Sequence, residues 1–313
     1  MASSDRRERK SYFASRAAVG RNGQRVGAVL TIDRQALITR RFPEIFQSYA
    51  ARDCILYALG LGLGADPLSA DELHYVYERG LKALPTMATI VGQPGFWVGD
   101  PDTGIDAAKV VHGAQSLELF RPMPVAADMI GRSHILDIVD KGVGRGALVS
   151  VLTELHDSAD GNVVARLIGT LFCRGDGGFA GPVVRAVAEP AIEWPQRPAD
   201  RSVERGVPAQ AALIYRLSGD LNPLHADPAV ARAVGFNRPI LHGFALFGIA
   251  GFCMAQIEPR ASLKSLSCRF VNPVYPGETL QTEVWESGGA YLFRINVRER
   301  GITVLDRGHA RFE

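Results

Sequence analysis

The sequence predicts an α+β fold in two halves, each a long antiparallel sheet wrapping helical elements. Two sets of period-two apolar alternation support this. One gives strands near 116–121, 130–140, 146–157 and 162–174, and the other gives strands near 264–271, 279–286, 290–299 and 302–312. Between the sets lies a proline-rich stretch, and after it the apolar run Gly243 to Ala255. That run is too short to span a bilayer and suits a helix buried in a core. A chain of 313 residues has room for two units of about 150 residues.

Residues 1–25 hold Arg6, Arg7, Arg9, Lys10, Arg16, Arg21 and Arg25 against Asp5 and Glu8, with no apolar stretch of a secretory signal. They read as a disordered basic extension, although an Arg- and Ser-containing start also suits a transit peptide. Residues 26–181 form the first half. Residues 26–42, with VGAVLTID, look like an opening strand and turn. From Ser48 the pattern turns helical, since Tyr49, Ile55, Leu56 and Leu59 recur near spacings of three and four, until Gly60, Gly62 and Gly64 end it. Leu73 to Leu81 reads as a second short helix. Gly142-x-Gly144-x-Gly146 and Asp160-Gly161 read as hairpin turns. Neither glycine triplet fits a dinucleotide fingerprint, because one follows a helix, with Pro67 in place of the last glycine, and the other sits between strands.

Residues 182–200, with Pro182, Pro190, Pro195 and Pro198, read as an extended linker. Residues 201–313 form the second half, with Gly288-Gly289 as a further turn. An internal repeat relates the halves: Leu119-Phe120-Arg121-Pro122-Met123-Pro124 precedes one set of long strands, and Arg269-Phe270-Val271-Asn272-Pro273-Val274-Tyr275-Pro276 precedes the other. The first half lacks an equally clean apolar helix. That asymmetry predicts that only the second half carries chemistry, while the first has room to spare.

Composition narrows the function classes. A hydrophobic share of 47% with 22% charged residues is that of a globular protein. A net charge of +2 argues against a dedicated nucleic-acid binder, and the lack of a long apolar run argues against a membrane protein. Cys54, Cys173, Cys253 and Cys268 are far apart, which suggests neither a zinc site nor a disulfide framework and fits a reducing cytosol. The terminal Arg-Phe-Glu is no peroxisomal address.

The chemistry concentrates in Tyr215 to His242, YRLSGDLNPLHADPAVARAVGFNRPILH. Pro223 fixes its own φ and keeps Asn222 out of the helical region, so Asp220, Asn222 and His225 are held around a tight turn. Asp227 as N-cap, Pro228 at the first helical position and Gly235 as the stop mark a short helix. Asp-x-Asn also opens calcium loops, but His225 and Ala231 stand where such a loop needs glycine and glutamate. Taken alone, Asp220 is equally a turn former and His225 a satisfied surface histidine.

The whole string Tyr-x-Leu-Ser-Gly-Asp-x-Asn-Pro-Leu-His-x5-Ala resembles the signature of the MaoC-like (R)-specific enoyl-CoA hydratases, the type-2 hydratases with a double hotdog fold. The resemblance covers roughly residues 30–313 and is most specific over 215–243. It implies a degenerate N-terminal hotdog that accommodates the acyl chain and a C-terminal hotdog that carries the catalytic motif. It also implies an acyl-CoA thioester as substrate, no resident cofactor or metal, and a homodimer. Asp220 and His225 match the family's catalytic pair, and Gly243 matches its oxyanion glycine. His112, Gly113, Lys141 and Phe270 match positions near the substrate, although Ala114 stands where the family often has an acidic residue. Lys141 also reads as a hairpin-turn lysine, Phe270 as plain core and His242 as structural.

Hydrating an α,β-unsaturated thioester requires an activated water, a proton for the α-carbon and a donor to the enolate-like oxygen. His225 is a natural base near neutral pH, and a buried Asp220 can share its water. Asn222 can orient the pair, and the amide at the start of the apolar helix, at Gly243, can face the thioester oxygen. Which residue protonates carbon stays open at this level. The expected reaction is reversible hydration of trans-2-enoyl-CoA to (3R)-3-hydroxyacyl-CoA. The alternatives are a dehydratase acting on carrier-protein thioesters and a non-catalytic acyl-thioester-binding module, which would have no need of the Asp220/His225 pair.

Overall fold

The computed structural model describes residues 31–179 and 194–313. The basic extension, residues 26–30 of the expected opening strand and most of the expected linker lie outside the described residues. In chain order the strands are β1 (Ile45–Tyr49), β2 (Val110–Leu119), β3 (Ala127–Asp140), β4 (Ala147–Asp157), β5 (Val163–Cys173), β6 (Arg201–Gly206), β7 (Leu263–Phe270), β8 (Thr279–Ser287), β9 (Ala290–Val297) and β10 (Ile302–Phe312). The helices are α1 (Arg34–Ile38), α2 (Ala51–Gly60), α3 (Ala70–Val76), α4 (Ala211–Tyr215), α5 (Pro228–Ala233) and α6 (Gly243–Ile257).

The strands make one 10-stranded sheet in the order β1-β3-β4-β5-β2-β7-β10-β9-β8-β6. The two sheets expected from the sequence are therefore continuous. They meet where β2 pairs antiparallel with β7, from Ala114 opposite Arg269 to Glu118 opposite Ser265. The glycine-rich turn of residues 142–146 joins β3 to β4 and Asp160-Gly161 lies between β4 and β5, as the turn chemistry predicts.

Other boundaries differ for local reasons. Ser48 and Tyr49 belong to β1, not to the helix, because Tyr49 is buried and donates its hydroxyl to Pro124 O at 2.9 Å. The second helix runs over Ala70–Val76 rather than Leu73 to Leu81, since Ser69 caps it through Glu72 N–H and Tyr77 is already extended. Residues 34–38 are helical, capped by Asp33, where a strand and turn were expected. β2 begins at Val110, before the expected 116. β6 is a sheet-edge strand whose charged alternation, RSVERG, carries little apolar signal.

α6 is apolar all round, the pattern of a helix enclosed by core. Ala245, Phe247, Ile249, Ala250 and Phe252 are fully or almost fully buried. The first half reaches it through two glycines. A methyl group at Gly248 would stand 2.7 Å from the Tyr57 hydroxyl, and one at Gly251 would stand 2.5 Å from Thr86 Cγ2. α2 and the turn Pro85–Ile90 thus pack where only a bare backbone fits. This packing anchors α6 with its N-terminus beside the Asp220–His225 turn.

Candidate active site

Local bonds set the turn. Gly219, at φ 123°, reverses the chain after α4, which favours glycine. Asp220 Oδ1 then accepts from Asn222 N–H at 3.1 Å, and Asn222 Oδ1 accepts from Leu224 N–H at 3.0 Å. Asn222 therefore orients the pair through its backbone, because its side-chain oxygen caps the single 3₁₀ turn Pro223–His225. Asp227 Oδ1 accepts from Ala229 N–H at 2.7 Å, capping α5 as the sequence predicts.

His225 is buried, and its Nδ1–H donates to Ile240 O at 2.9 Å. A carbonyl can only accept, so Nε2 is left as the free lone pair. It lies 4.0 Å from Asp220 Oδ2, too far for a direct hydrogen bond and suited to a shared water. Asp220 is 45% exposed at its side chain, against 9% for His225, so the expectation of a buried carboxylate is corrected. Burial lowers the His225 pKa, and the Asp220 charge partly opposes this. The resting ring is a neutral base turned toward a carboxylate.

His242 is the N-cap of α6 and is almost fully buried. Its Nε2–H donates to the main-chain oxygen of Asp220 at 3.2 Å. Its ring stacks on His225, with centroids 3.7 Å apart and planes at 25°, and Tyr215 covers it at 4.9 Å. Gly243 follows, and its N–H, the first of α6, has no acceptor within the helix.

A methyl group on Gly243 would stand 3.1 Å from His112 Nδ1. The His112 ring lies between Phe244 and Phe270, at 4.6 Å from each. Its Nε2 meets Gln115 Oε1 at 3.1 Å, while the Gln115 amide nitrogen donates to Ser116 O at 2.8 Å. Burial pushes the His112 imidazole down to about 4. A shift in the β2–β5 register between His112 and Ala114 marks Gly113 as the extra residue of a bulge.

Of the residues singled out in the sequence, Asp220, His225 and Gly243 gather with His112 and Phe270 at the N-terminus of α6, and Gly113 serves as the bulge. Lys141 stands apart, with its Nζ 4.9 Å over the Phe172 ring. Phe172 alternates in β5 with Leu171 and Cys173, which pack in the core, so it faces the other side of the sheet. The sequence reading missed Gln115, Phe244 and the contacts of His242. For Gln115 the usable signal was a polar residue at an inward position of β2.

Among the described residues, Asp220, His225 and His242 are the three potential metal ligands that gather, with ligand atoms within 4.8 Å of one another. The geometry fits an ion poorly. Stacked rings hold their in-plane lone pairs in separate, nearly parallel planes, whereas a shared ion needs a point that lies in both. The arrangement suits proton transfer.

Comparison with known proteins matches both halves. Residues 47–175 match the MFE-2 hydratase 2 N-terminal domain, and residues 191–307 match the MaoC like domain. The peroxisomal enoyl-CoA hydratase 2 of Arabidopsis thaliana is 36% identical over 291 residues, which cover 86% of this chain and 92% of that protein. This chain belongs to the MaoC-like type-2 enoyl-CoA hydratase family. The 3-hydroxyacyl-thioester dehydratase Y of Mycobacterium tuberculosis is also 36% identical, over 86% of this chain and 92% of its own length. The crystal structure of a MaoC-like dehydratase from Phytophthora capsici superposes with a TM-score of 0.74 at 31% identity, covering 89% of this chain and 98% of that one. The α+β architecture is accordingly the double hotdog, and the family is one of hydro-lyases.

Proposed function

We propose that this protein reversibly hydrates trans-2-enoyl-CoA to (3R)-3-hydroxyacyl-CoA in fatty-acid metabolism. The observation that carries the reading is the unprotonated Nε2 of His225 facing the Asp220 carboxylate at 4.0 Å, next to the free amide end of α6. His225 and Asp220 hold a water between them. As its oxygen bonds to C3, His225 takes a proton, a step typically worth about 10²–10⁴-fold. The double bond shifts its electrons toward the thioester oxygen, which accepts from Gly243 N–H, and a proton returned to C2 completes the addition. The acid-base pair and the thioester are sufficient for this chemistry, so the reading needs no resident cofactor or metal.

The test is loss of enoyl-thioester absorbance with short- and medium-chain trans-2-enoyl-CoA, with (R)- or (S)-specific dehydrogenases reading the product. Rapid loss giving only (R) product supports the reading, and (S) product rejects it. A second reading is dehydration of carrier-protein thioesters, since the relative named a 3-hydroxyacyl-thioester dehydratase carries a name that fits either thioester carrier. Matched CoA and carrier-bound substrates separate the two. We further propose a cytoplasmic homodimer. Four free, buried cysteines support a reducing compartment.

A further inference from the structure

We infer that His242 is a positioning residue that holds the Asp220 side of the catalytic pair in place through its Nε2–H. This rests on the hydratase reading above. His242 touches three parts of the site: it donates to Asp220 O at 3.2 Å, stacks on His225 at 3.7 Å and is bonded directly to Gly243. Asp220 is otherwise lightly held. Its side chain is half-exposed, and the turn hydrogen bond from Asn222 N–H is local to the same loop. The bond from His242 ties the Asp220 end of this loop directly to the N-cap of α6, while the His225 end is held by Ile240 O.

The tautomer follows from the bond. With Nε2 protonated and donating, Nδ1 is the bare nitrogen, and it is buried without a partner. Tyr215, Arg216, Asp220 and His225 face the ring from the segments around it. Burial, helped by His225 and Arg216 and opposed by Asp220, lowers its pKa to about 4. The ring is therefore neutral at ordinary pH and keeps a single donor aimed at Asp220 O. It adds no charge against His225 when that ring accepts a proton.

Two substitutions separate positioning from space-filling. His242→Phe keeps a flat ring against His225 and loses the donor, whereas His242→Gln keeps a donor near the Nε2 position and loses the ring. If His242 positions Asp220, the Phe variant loses about 10²-fold in kcat with KM within about threefold, since a misplacement of about 1 Å can cost that much. The Gln variant then recovers at least about tenfold of that loss. A packing role predicts the reverse order, because Phe fills the slot and Gln does not. Each variant is assayed as the full chain with trans-2-enoyl-CoA, and its thermal midpoint shows that it is folded. A folded Phe variant with wild-type kcat, or one more active than Gln, overturns the proposal while leaving the hydratase reading intact. A wild-type chain inert on every enoyl thioester rejects both.

Discussion

His112 and Gln115 are three residues apart on one strand and yet meet on one face, their side chains 3.1 Å apart. Regular alternation would send them to opposite sides of the sheet. The bulge at Gly113 inserts one residue and brings His112 back inward, onto Gly243 and Phe270. Gln115→Leu should leave the His112 Nε2–H without its acceptor and destabilise the fold by about 1–3 kcal/mol. Urea denaturation of the two proteins measures this, and an unchanged midpoint would show that the pair contributes nothing.

Asp220→Asn and His225→Ala should each abolish detectable turnover while thioester affinity stays within about tenfold, since neither change removes the acyl-binding surface. Steady-state rates together with equilibrium binding of an acyl-CoA check both halves of that statement. Near-normal rates in either variant would remove that residue from the mechanism.

Much of this site was legible because the turn is written in local chemistry. Asn222-Pro223, Asp227-Pro228 and Gly235 dictate their own geometry, and the structure reproduces it. The role of Asn222 was harder to read, since sequence cannot say whether an amide will reach a neighbour or cap its own turn. His242 read as structural because its partners, Asp220 O and the His225 ring, come from the loop that folds back on it. β1 and β6 were missed for a related reason. IFQSY is short and ends in residues that also suit a helix start, and RSVERG lies at a sheet edge, where charged alternation replaces apolar alternation.

Gly243→Ala should lower kcat by about 10²–10³-fold if the amide serves as the oxyanion donor. The added methyl would sit 3.1 Å from His112 Nδ1 and press the thioester oxygen away from the amide. Comparable loss of kcat without loss of thermal stability would locate the effect in the transition state.

Acid should weaken the fold through its buried histidines. His112 and His242 are pushed from 6.5 to about 4 in the folded protein, so below about pH 6.5 the unfolded chain binds more protons than the native one. Their contribution is intact above that pH and falls progressively toward about pH 4. Thermal midpoints taken across this window should drop, and replacing either residue with an uncharged one should flatten the drop. The acidic limb of kcat/KM should likewise lie below the ordinary histidine value, because burial lowers His225.

Gly251→Ala should destabilise the protein even though alanine is the better helix former by about 1 kcal/mol. Its methyl would lie 2.5 Å from Thr86 Cγ2, and overpacking of a closed core typically costs about 1–3 kcal/mol. A rise in thermal midpoint would mean that the turn Pro85–Ile90 yields more easily than its packing suggests.

The pairing of β2 with β7 carries the hydrogen-bond ladder from the first half into the second. A single break in the chain between Cys173 and Arg201 cuts none of the pairs from Ala114–Arg269 to Glu118–Ser265. The two fragments of a nicked molecule would therefore stay joined as a non-covalent heterodimer, with His112 still delivered to Gly243 across the seam. Either fragment alone would expose a bare strand edge to any chain that could pair with it.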